Sequence, residues 1–214
     1  MPIDLEILNK TVSLIAKRNS GKSVLLRYLV KQRKNKFDKI FVISPTEEVS
    51  HFYKDITDKN CIFYEWKEDW AEQLIKRMTE TNSGVPEKKR KQILVILDDI
   101  FADMNAANSP ALKKIYLRGR HIGIAVIATC QYLYNLPPIC RNNTDWVLVG
   151  QTNQASKQLL ADEYLFGDID KREFIKLYNR STIDYQFLVI NTSSVEDDDL
   201  NQIYGVIKTP EGQL

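Results

Sequence analysis

The chain has 214 residues, of which 43% are hydrophobic, and this size fits one α/β domain or at most two small ones. Its 30 basic and 28 acidic residues leave a net charge of +2, which excludes a polycation and confines any nucleic-acid contact to local patches. Three scattered cysteines and two histidines argue against a disulfide framework or a zinc site. A polar N-terminus and short apolar runs predict a soluble, intracellular protein without a signal peptide or membrane span.

Apolar, β-branched runs alternate with helical segments along the chain. Strands are predicted at about 11–16, 38–43, 61–64, 92–98, 123–129, 144–150 and 185–191. Helices are predicted at about 22–35, 47–56, 67–80, 109–119, 154–161 and 170–178. Continuous runs of Ile, Val and Leu are typical of strands buried on both faces of a parallel sheet. The alternation predicts a three-layer α/β fold around one open, mostly parallel sheet.

Residues 16–23 read AKRNSGKS, the Walker A pattern of a phosphate-binding loop (P-loop), and they lie between a predicted strand and a predicted helix. Gly21 lets the backbone approach a phosphate, and the helix start favours its negative charge. We expect Lys22 to reach the β- and γ-phosphates and Ser23 to hold Mg²⁺. Alanine stands at the first position, where the strict pattern has glycine. The predicted nucleotide-binding residues are Ala16, Lys17, Arg18, Asn19, Ser20, Gly21, Lys22 and Ser23.

A second apolar segment, residues 92–99, ends in two carboxylates and matches a Walker B segment. An acidic residue at the end of a buried strand beside a P-loop binds Mg²⁺ through its water shell. A second carboxylate next to it orients and deprotonates the attacking water. We therefore assign Asp98 to the metal and Asp99 to the water. The alternative is that one of the two carboxylates caps the segment that follows.

A third element joins a basic turn, residues 118–123, to a predicted strand and then to Gln131. A polar residue at the tip of that strand is placed to sense the γ-phosphate through the attacking water, unless Gln131 is simply a solvated loop residue. Arg120 lies just before the strand, on a face that could contact the nucleotide bound to a neighbouring subunit. A cation supplied in this way neutralises charge on the transferred phosphoryl group. The alternative for Arg118 and Arg120 is a favourable pairing with a helix C-terminus.

The segments AKRNSGKS, ILVILDD, GRHIG and ATCQ, in this order, resemble the FtsK/HerA superfamily of ring-forming DNA-pumping ATPases. The short chain and the GRH–strand–Gln segment look like the poxvirus-type genome-packaging ATPases of large DNA viruses, virophages and related capsid lineages. The resemblance covers roughly residues 10–150. It implies that Arg120 is a trans-acting arginine finger and that Gln131 is the sensor. Family members often have Asp-Glu at the end of the acidic strand, so this chain departs from the pattern at Asp99.

The resemblance also implies a P-loop NTPase fold of the RecA/ASCE type with strand order 5-1-4-3-2. It implies ATP and Mg²⁺ as cofactors and a homo-oligomeric ring on double-stranded DNA. We expect one P-loop ATPase domain over residues 1–214, with a core at about 10–150 and a C-terminal extension of the same sheet at about 151–214. We expect no accessory domain before the first strand, because that strand begins almost at the N-terminus.

The leading functional hypothesis is an ATP-driven double-stranded DNA translocase that packages a viral genome into a preformed capsid. Capsid vertex proteins are then expected partners, and the membrane is not. The expected location is the host-cell cytoplasm or a viral assembly site, with association with the virion as a further option. Three alternatives stay open: a cellular or plasmid DNA pump of the same superfamily, a small-molecule kinase, and a non-translocating nucleotide switch.

Two basic runs, residues 31–39 and 87–91, are candidates for phosphate contacts with DNA, the alternative being a solvated helix end and loop. The small, polar residues 103–109 are predicted to form a loop that lines a pore. The acidic run 196–199 is predicted to be a solvated turn. The aromatic residues between 63 and 70 are predicted to serve core and interface packing.

Overall fold

The computed structural model describes residues 5–194 and 199–210, and within these residues eight strands form one sheet. The strands are β1 (Thr11–Ile15), β2 (Lys39–Ile43), β3 (Ile62–Phe63), β4 (Ile93–Asp98), β5 (Ile124–Cys130), β6 (Trp146–Val149), β7 (Gln186–Asn191) and β8 (Tyr204–Lys208). Their order across the sheet is β3-β2-β4-β5-β1-β6-β7-β8. Pairs among β1 to β6 are parallel, whereas the β6–β7 and β7–β8 pairs are antiparallel.

The five central parallel strands have the predicted order. When the two-residue β3 is left out and the others are counted along the chain, β6-β1-β5-β4-β2 reads 5-1-4-3-2. The sheet is longer than this core, because β3 extends one edge and the antiparallel β7 and β8 extend the other. Since the central strands are parallel, their carboxyl ends meet at one edge of the sheet, which is where ligands bind in open α/β sheets.

Helices cover both faces of the sheet, as the three-layer prediction requires. They are α1 (Lys22–Arg33), α2 (Glu47–Ser50), α3 (Glu68–Asn82), α4 (Met104–Asn108), α5 (Pro110–Arg118), α6 (Pro138–Arg141), α7 (Gln154–Glu163), α8 (Lys171–Ser181) and α9 (Leu200–Ile203). Alternate residues of β4 point to opposite faces: Leu94 and Ile96 join the core that includes α1, while Val95 and Leu97 join the core that includes α3, α5, α7 and α8. The apolar sequence of β4 therefore follows from burial on both sides.

The predicted helix at 47–56 ends at Ser50. Its C-terminal cap, His51, has a left-handed backbone with φ 48°. The Glu47 carboxylate accepts hydrogen bonds from the backbone N–H groups of Phe52 and Tyr53, each at 2.8 Å. These N–H groups are therefore turned toward a side chain instead of the preceding helical carbonyls, and the chain leaves the helix as a tight turn.

Two other sequence predictions need correction, and a third falls mostly outside the described residues. Residues 103–109 are not simply a loop, because they contain the short helix α4, which is capped by the Asp103 side chain. The predictions missed α9 and β8, which follow β7 and bring the chain back to the sheet. The acidic run 196–199 lies outside the described residues except for Asp199, whose side chain caps α9. Over the described ranges, no helix combines the length and apolar character needed to cross a membrane.

Candidate nucleotide-binding site

The P-loop, residues 16–23, connects the carboxyl end of β1 to the first turn of α1. Its backbone is left-handed at Asn19 (φ 57°) and at Gly21 (φ 81°), and the Ser20 hydroxyl donates to the carbonyl of Lys17 at 2.7 Å. Among the described residues, no side chain caps the start of α1. Its first N–H groups are therefore available to an anion, and the helix dipole favours one there.

Ala16, which stands where the strict motif has glycine, is accommodated by the neighbouring strand. Its methyl group is fully buried, and Gly150, directly after β6, lies beside it. A Cβ at Gly150 would lie 3.0 Å from the Cβ of Ala16 and 2.9 Å from a ring carbon of Phe187. The glycine replaced in the loop is thus matched by a glycine on the adjacent strand, which keeps the space that the loop needs.

The C-terminal strand β8 reaches the P-loop as well. A Cβ at Gly21 would lie 2.8 Å from Oγ1 of Thr209, the residue that directly follows β8. Gly21 is therefore needed for two reasons: its left-handed backbone and the close approach of Thr209. Only the first reason is visible in the local sequence.

Asp98 ends β4 as a buried carboxylate held by hydroxyl groups. The Thr129 hydroxyl donates to Oδ1 at 2.6 Å, and the Ser44 hydroxyl donates to Oδ2 at 3.3 Å. Burial raises the pKa of Asp98, and the hydrogen bond from Thr129 partly opposes this rise. Thr129 and Ser44 come from β5 and from the residue after β2, so three neighbouring strand ends meet at this carboxylate.

Asp99 turns out of the strand toward the P-loop. Its backbone is left-handed (φ 54°), and its N–H donates to the Thr129 hydroxyl at 3.1 Å. Lys22 Nζ lies 3.1 Å from Asp99 Oδ1, and Gln131 Nε2 lies 3.5 Å from Asp99 Oδ2. The structure thus brings together, at the opening of the phosphate loop, three residues that are spread over more than a hundred positions of the sequence.

Sequence reasoning missed Tyr53, which packs behind Asp98. Tyr53 is 1% exposed, and its hydroxyl is buried beside the Asp98 carboxylate. Burial raises its pKa well above the usual range, and the charge of the nearby Asp98 carboxylate adds to the rise. The Glu47 carboxylate fixes this tyrosine through its backbone N–H, as described above. No local sequence pattern indicates the role of Tyr53, because it follows a short helix and lies 45 positions from Asp98 in the sequence.

Arg120 lies at the opposite edge of the sheet from the P-loop. It belongs to a 3₁₀ turn at Gly119–Ile122 that enters the amino end of β5, whereas the P-loop leaves the carboxyl end of the adjacent parallel strand β1. The seven residues of β5 span about 20 Å at roughly 3.3 Å per residue. Arg120 is exposed and lines a polar cavity of about 360 Å³ with Asn142 and Asn143. It is therefore not brought together with the other predicted site residues of its own chain.

Both glycines of the GRHIG segment are required by close approaches of neighbouring backbone carbonyls. A Cβ at Gly119 would lie 2.8 Å from the carbonyl of Ile124, and one at Gly123 would lie 2.2 Å from the carbonyl of Lys91. The Asn82 amide donates to the carbonyls of Lys91 and Ile122, each at 2.9 Å, and fixes the turn from below. The segment is thus a rigid turn that holds Arg120 at the surface.

The side chains and backbone N–H groups of the site are chemically suited to Mg²⁺ and a nucleoside triphosphate. Across the described part of the chain, no cluster of three or more His, Cys, Asp or Glu could form a complete metal cage. Mg²⁺ at nucleotide sites keeps several waters and needs only one or two protein groups besides the phosphates. The Ser23 hydroxyl and the Asp98 carboxylate suit this role. A cavity of about 430 Å³, lined by residues 17–24, Asp99 and Tyr185, is large enough for the phosphates.

The two basic runs are partly neutralised within the chain. Lys31 pairs with Asp55 at 2.6 Å, and Lys36 pairs with Glu6 at 2.7 Å. In the second run, Lys91 pairs with Asp38 at 2.6 Å. The surface charge that either run offers to DNA is therefore smaller than the sequence alone suggests.

Solved structures share this fold. The genome packaging NTPase B204 from Sulfolobus turreted icosahedral virus 2, in complex with AMPPCP, is 20% identical over 94% of this chain and 98% of that chain, with a TM-score of 0.64. The DNA-packaging ATPase B204 from Sulfolobus turreted icosahedral virus is 18% identical over 96% of this chain and all (100%) of that chain, with a TM-score of 0.70. The fold is that of a P-loop NTPase, as predicted.

The family model of the Poxvirus A32 protein matches residues 5–203, and the chain belongs to this family. A relative from Invertebrate iridescent virus 6, uncharacterized protein 075L, is 29% identical over 202 residues, which are 94% of this chain and 77% of the relative. Another, uncharacterized protein L437 from Acanthamoeba polyphaga mimivirus, is 24% identical and covers 95% of this chain and 75% of the relative. The predicted resemblance is confirmed, and the family match extends beyond residues 10–150 through β7 and ends before β8.

Proposed function

We propose that this protein is a Mg²⁺-dependent ATPase that moves double-stranded DNA into a preformed viral capsid. The observation that carries the proposal is the convergence of Lys22, Asp99 and Gln131 at the P-loop, beside the buried Asp98, in a member of the Poxvirus A32 family. The fold that it shares with proteins described as genome-packaging NTPases supports the link to DNA packaging.

Lys22 and the N-terminus of α1 bind the phosphates in this proposal. The Lys22 side chain is 8% exposed and its Nζ lies 3.1 Å from a carboxylate oxygen, so the lysine is already positioned to hold an anion. Ser23 and Asp98 hold Mg²⁺, which, when bound, neutralises charge on the β- and γ-phosphates. The hydroxyls of Thr129 and Ser44 keep Asp98 oriented.

Asp99 acts as the base and Gln131 orients the attacking water. Asp99 is about one-third exposed (36%), so water reaches its carboxylate. The Gln131 amide lies 3.5 Å from the same carboxylate, near enough for one water to contact both groups. The thiol of Cys130, directly before Gln131, takes no part, since burial raises its pKa to about 12.

Arg120 acts on the nucleotide of a neighbouring subunit. Arg120 lies at the amino end of β5, whereas its own P-loop lies at the opposite end of the parallel strands, so the length of β5, about 20 Å, separates them. This distance argues against a role in cis. A homo-oligomeric ring on double-stranded DNA brings this edge to the next subunit's nucleotide. We propose that the ring works at the site of virion assembly, in contact with capsid vertex proteins.

The test is ATP hydrolysis by the purified full chain, measured with and without long double-stranded DNA, together with the mass of the protein in solution. DNA should raise the rate of the oligomer. Lys22→Ala should abolish turnover while the fold survives, whereas Lys114→Ala, whose only ion pair among described residues is a weak contact to Glu72 at 4.0 Å, should not change it. An ATP hydrolysis rate that does not change when DNA is added would favour the kinase or nucleotide-switch alternatives. Normal turnover by folded Lys22→Ala would exclude this nucleotide site.

A further inference from the structure

A tyrosine occupies an unfavourable backbone position next to the P-loop. Residues 183–186 form a tight turn in which the N–H of Gln186 donates to the carbonyl of Ile183 at 2.9 Å. Both central residues are left-handed, with φ 49° at Asp184 and φ 58° at Tyr185. Glycine or asparagine is preferred at the second central position of such a turn, and a bulky aromatic residue there costs free energy. Strain of this kind is characteristic of binding and catalytic sites.

The strain does not serve burial. Tyr185 is 47% exposed, so the ring gains little from the core in return for its backbone conformation. The main chain around it is firmly held, because its carbonyl accepts the N–H of Thr209 at 3.0 Å and Thr209 packs against Gly21 of the P-loop. The ring is therefore held at a fixed position relative to the phosphate-binding backbone.

Tyr185 separates two cavities that share the first half of the P-loop. One is the cavity of about 430 Å³ at Lys22, Ser23 and Asp99, where the phosphates bind in the proposed function. The other, of about 450 Å³, lies on the far side of the tyrosine and is lined by polar groups including Gln151, Thr182 and Asp184. Because Tyr185 and residues 17–20 line both cavities, the second adjoins the first, and its volume suits a base and ribose.

We propose that Tyr185 stacks on the nucleobase and that the 450 Å³ cavity is the base subsite. This inference rests on the proposed function, because it takes the phosphates to bind at Lys22. The base face is apolar and its edges are polar, and the subsite offers the same combination: one aromatic ring with amide, hydroxyl and carboxylate groups around it. The paired strands β7 and β8 thereby gain a role, since Tyr185 directly precedes β7 and hydrogen-bonds to Thr209 after β8, beside the P-loop.

The experiment compares the binding of MgATP and of magnesium tripolyphosphate to the full chain by calorimetry. Tyr185→Asn removes the ring but suits the left-handed turn. We expect it to weaken MgATP binding by roughly 5- to 150-fold, the range for a lost base–aromatic stack, and to leave tripolyphosphate binding unchanged. The melting temperature of the ligand-free protein should be unchanged or higher. Tyr185→Phe should bind both ligands as the wild type does. Tyr185→Gly provides the same test if the asparagine variant does not fold.

Unchanged MgATP affinity in Tyr185→Asn would overturn the proposal. So would an equal loss for both ligands, because the turn would then act only by shaping the P-loop through Thr209. If wild-type protein binds neither ligand, the nucleotide site itself is wrong and the proposed function fails together with the base subsite. If wild-type protein binds both ligands but Tyr185→Asn binds MgATP as tightly as the wild type does, the proposed function stands and the base subsite does not.

Discussion

Lys22 and Asp99 form an ion pair across the mouth of the P-loop, with Nζ 3.1 Å from Oδ1. The lysine that is proposed to bind phosphate is thus partnered by the carboxylate that is proposed to activate water. In the proposed function, a bound γ-phosphate would compete with Asp99 for the lysine and would free the carboxylate. Nucleotide binding and release of the base are therefore linked in this arrangement, and the link can be tested by removing the charge of Asp99.

Asp99→Asn should bind MgATP at least as tightly as the wild type, because Lys22 loses its competing partner. It should hydrolyse ATP about 10²- to 10⁴-fold more slowly, the usual contribution of a general base. Calorimetry and a steady-state assay measure the two effects. Asp103→Asn, which alters only the cap of α4, is the control. A full rate in Asp99→Asn would place the base elsewhere and would give weight to the departure from the family's Asp-Glu pattern.

Asp98→Asn should stabilise the nucleotide-free protein at neutral pH and at the same time remove Mg²⁺-dependent turnover. Burial raises the pKa of Asp98, which means that its charge is destabilising in the folded state. The hydroxyls of Thr129 and Ser44 can rotate to accommodate an amide. For a domain of this size, about 1 kcal/mol corresponds to roughly 2–4 °C in melting temperature. A lower melting temperature than wild type, measured by calorimetry without ligand, would contradict this account of Asp98.

Glu68 should make stability depend on pH through its contacts between α3 and α5. Burial raises the pKa of Glu68, but hydrogen bonds from the Ser109 hydroxyl, the Ala111 N–H (2.7 Å) and the Trp66 indole (3.1 Å) outweigh it and lower the pKa overall. A carboxyl group with a lowered pKa in the folded state stabilises the protein above its unfolded pKa. This contribution is lost as the pH falls through the folded pKa.

Glu68→Gln should therefore lower the melting temperature at neutral pH, and the difference from wild type should shrink as the pH falls below about 4.5, the ordinary value for Glu. Thermal unfolding between pH 3 and pH 7 measures the difference. Glu72→Gln is the matched control on the same helix, since the only ion pair of Glu72 within the described residues is a 4.0 Å contact with Lys114. A gap that stays constant over this pH range would show that the charge of Glu68 is unimportant.

Arg120→Ala should bind ATP normally at its own P-loop, because Arg120 lies at the opposite edge of the sheet. Its hydrolysis should fall on the order of 10³-fold or more, the range for a removed arginine finger. Mixing Arg120→Ala with Lys22→Ala subunits should restore part of the rate, since some interfaces then join an intact P-loop to an intact finger. Wild-type turnover in pure Arg120→Ala, or loss of its ATP binding, would each refute the trans role.

The local motifs could be predicted because the chemistry lies within a few residues. The P-loop, the carboxylates at the end of β4 and Gln131 after β5 could each be recognised from an apolar strand that leads into polar residues. Parallel pairing of these strands then brings their ends together. What the sequence concealed depends on contacts between distant segments.

Tyr53 and Thr209 illustrate this limit. Tyr53 reaches Asp98 because the Glu47 carboxylate captures backbone N–H groups and ends α2 early, which periodicity does not reveal. Thr209 follows β8, a five-residue strand interrupted by Gly205, and its contact with Gly21 arises only when the sheet is complete. The pairing of Ala16 with Gly150 is likewise a relationship between two strands and not a property of either one.

The most direct test of the central claim is a triplex-displacement assay, in which a translocating protein strips a third strand from long double-stranded DNA. Wild-type protein should displace the third strand in the presence of MgATP, whereas neither Lys22→Ala nor wild-type protein without ATP should do so. Robust ATP hydrolysis on the same DNA without displacement of the third strand would contradict the claim that this P-loop ATPase moves along DNA.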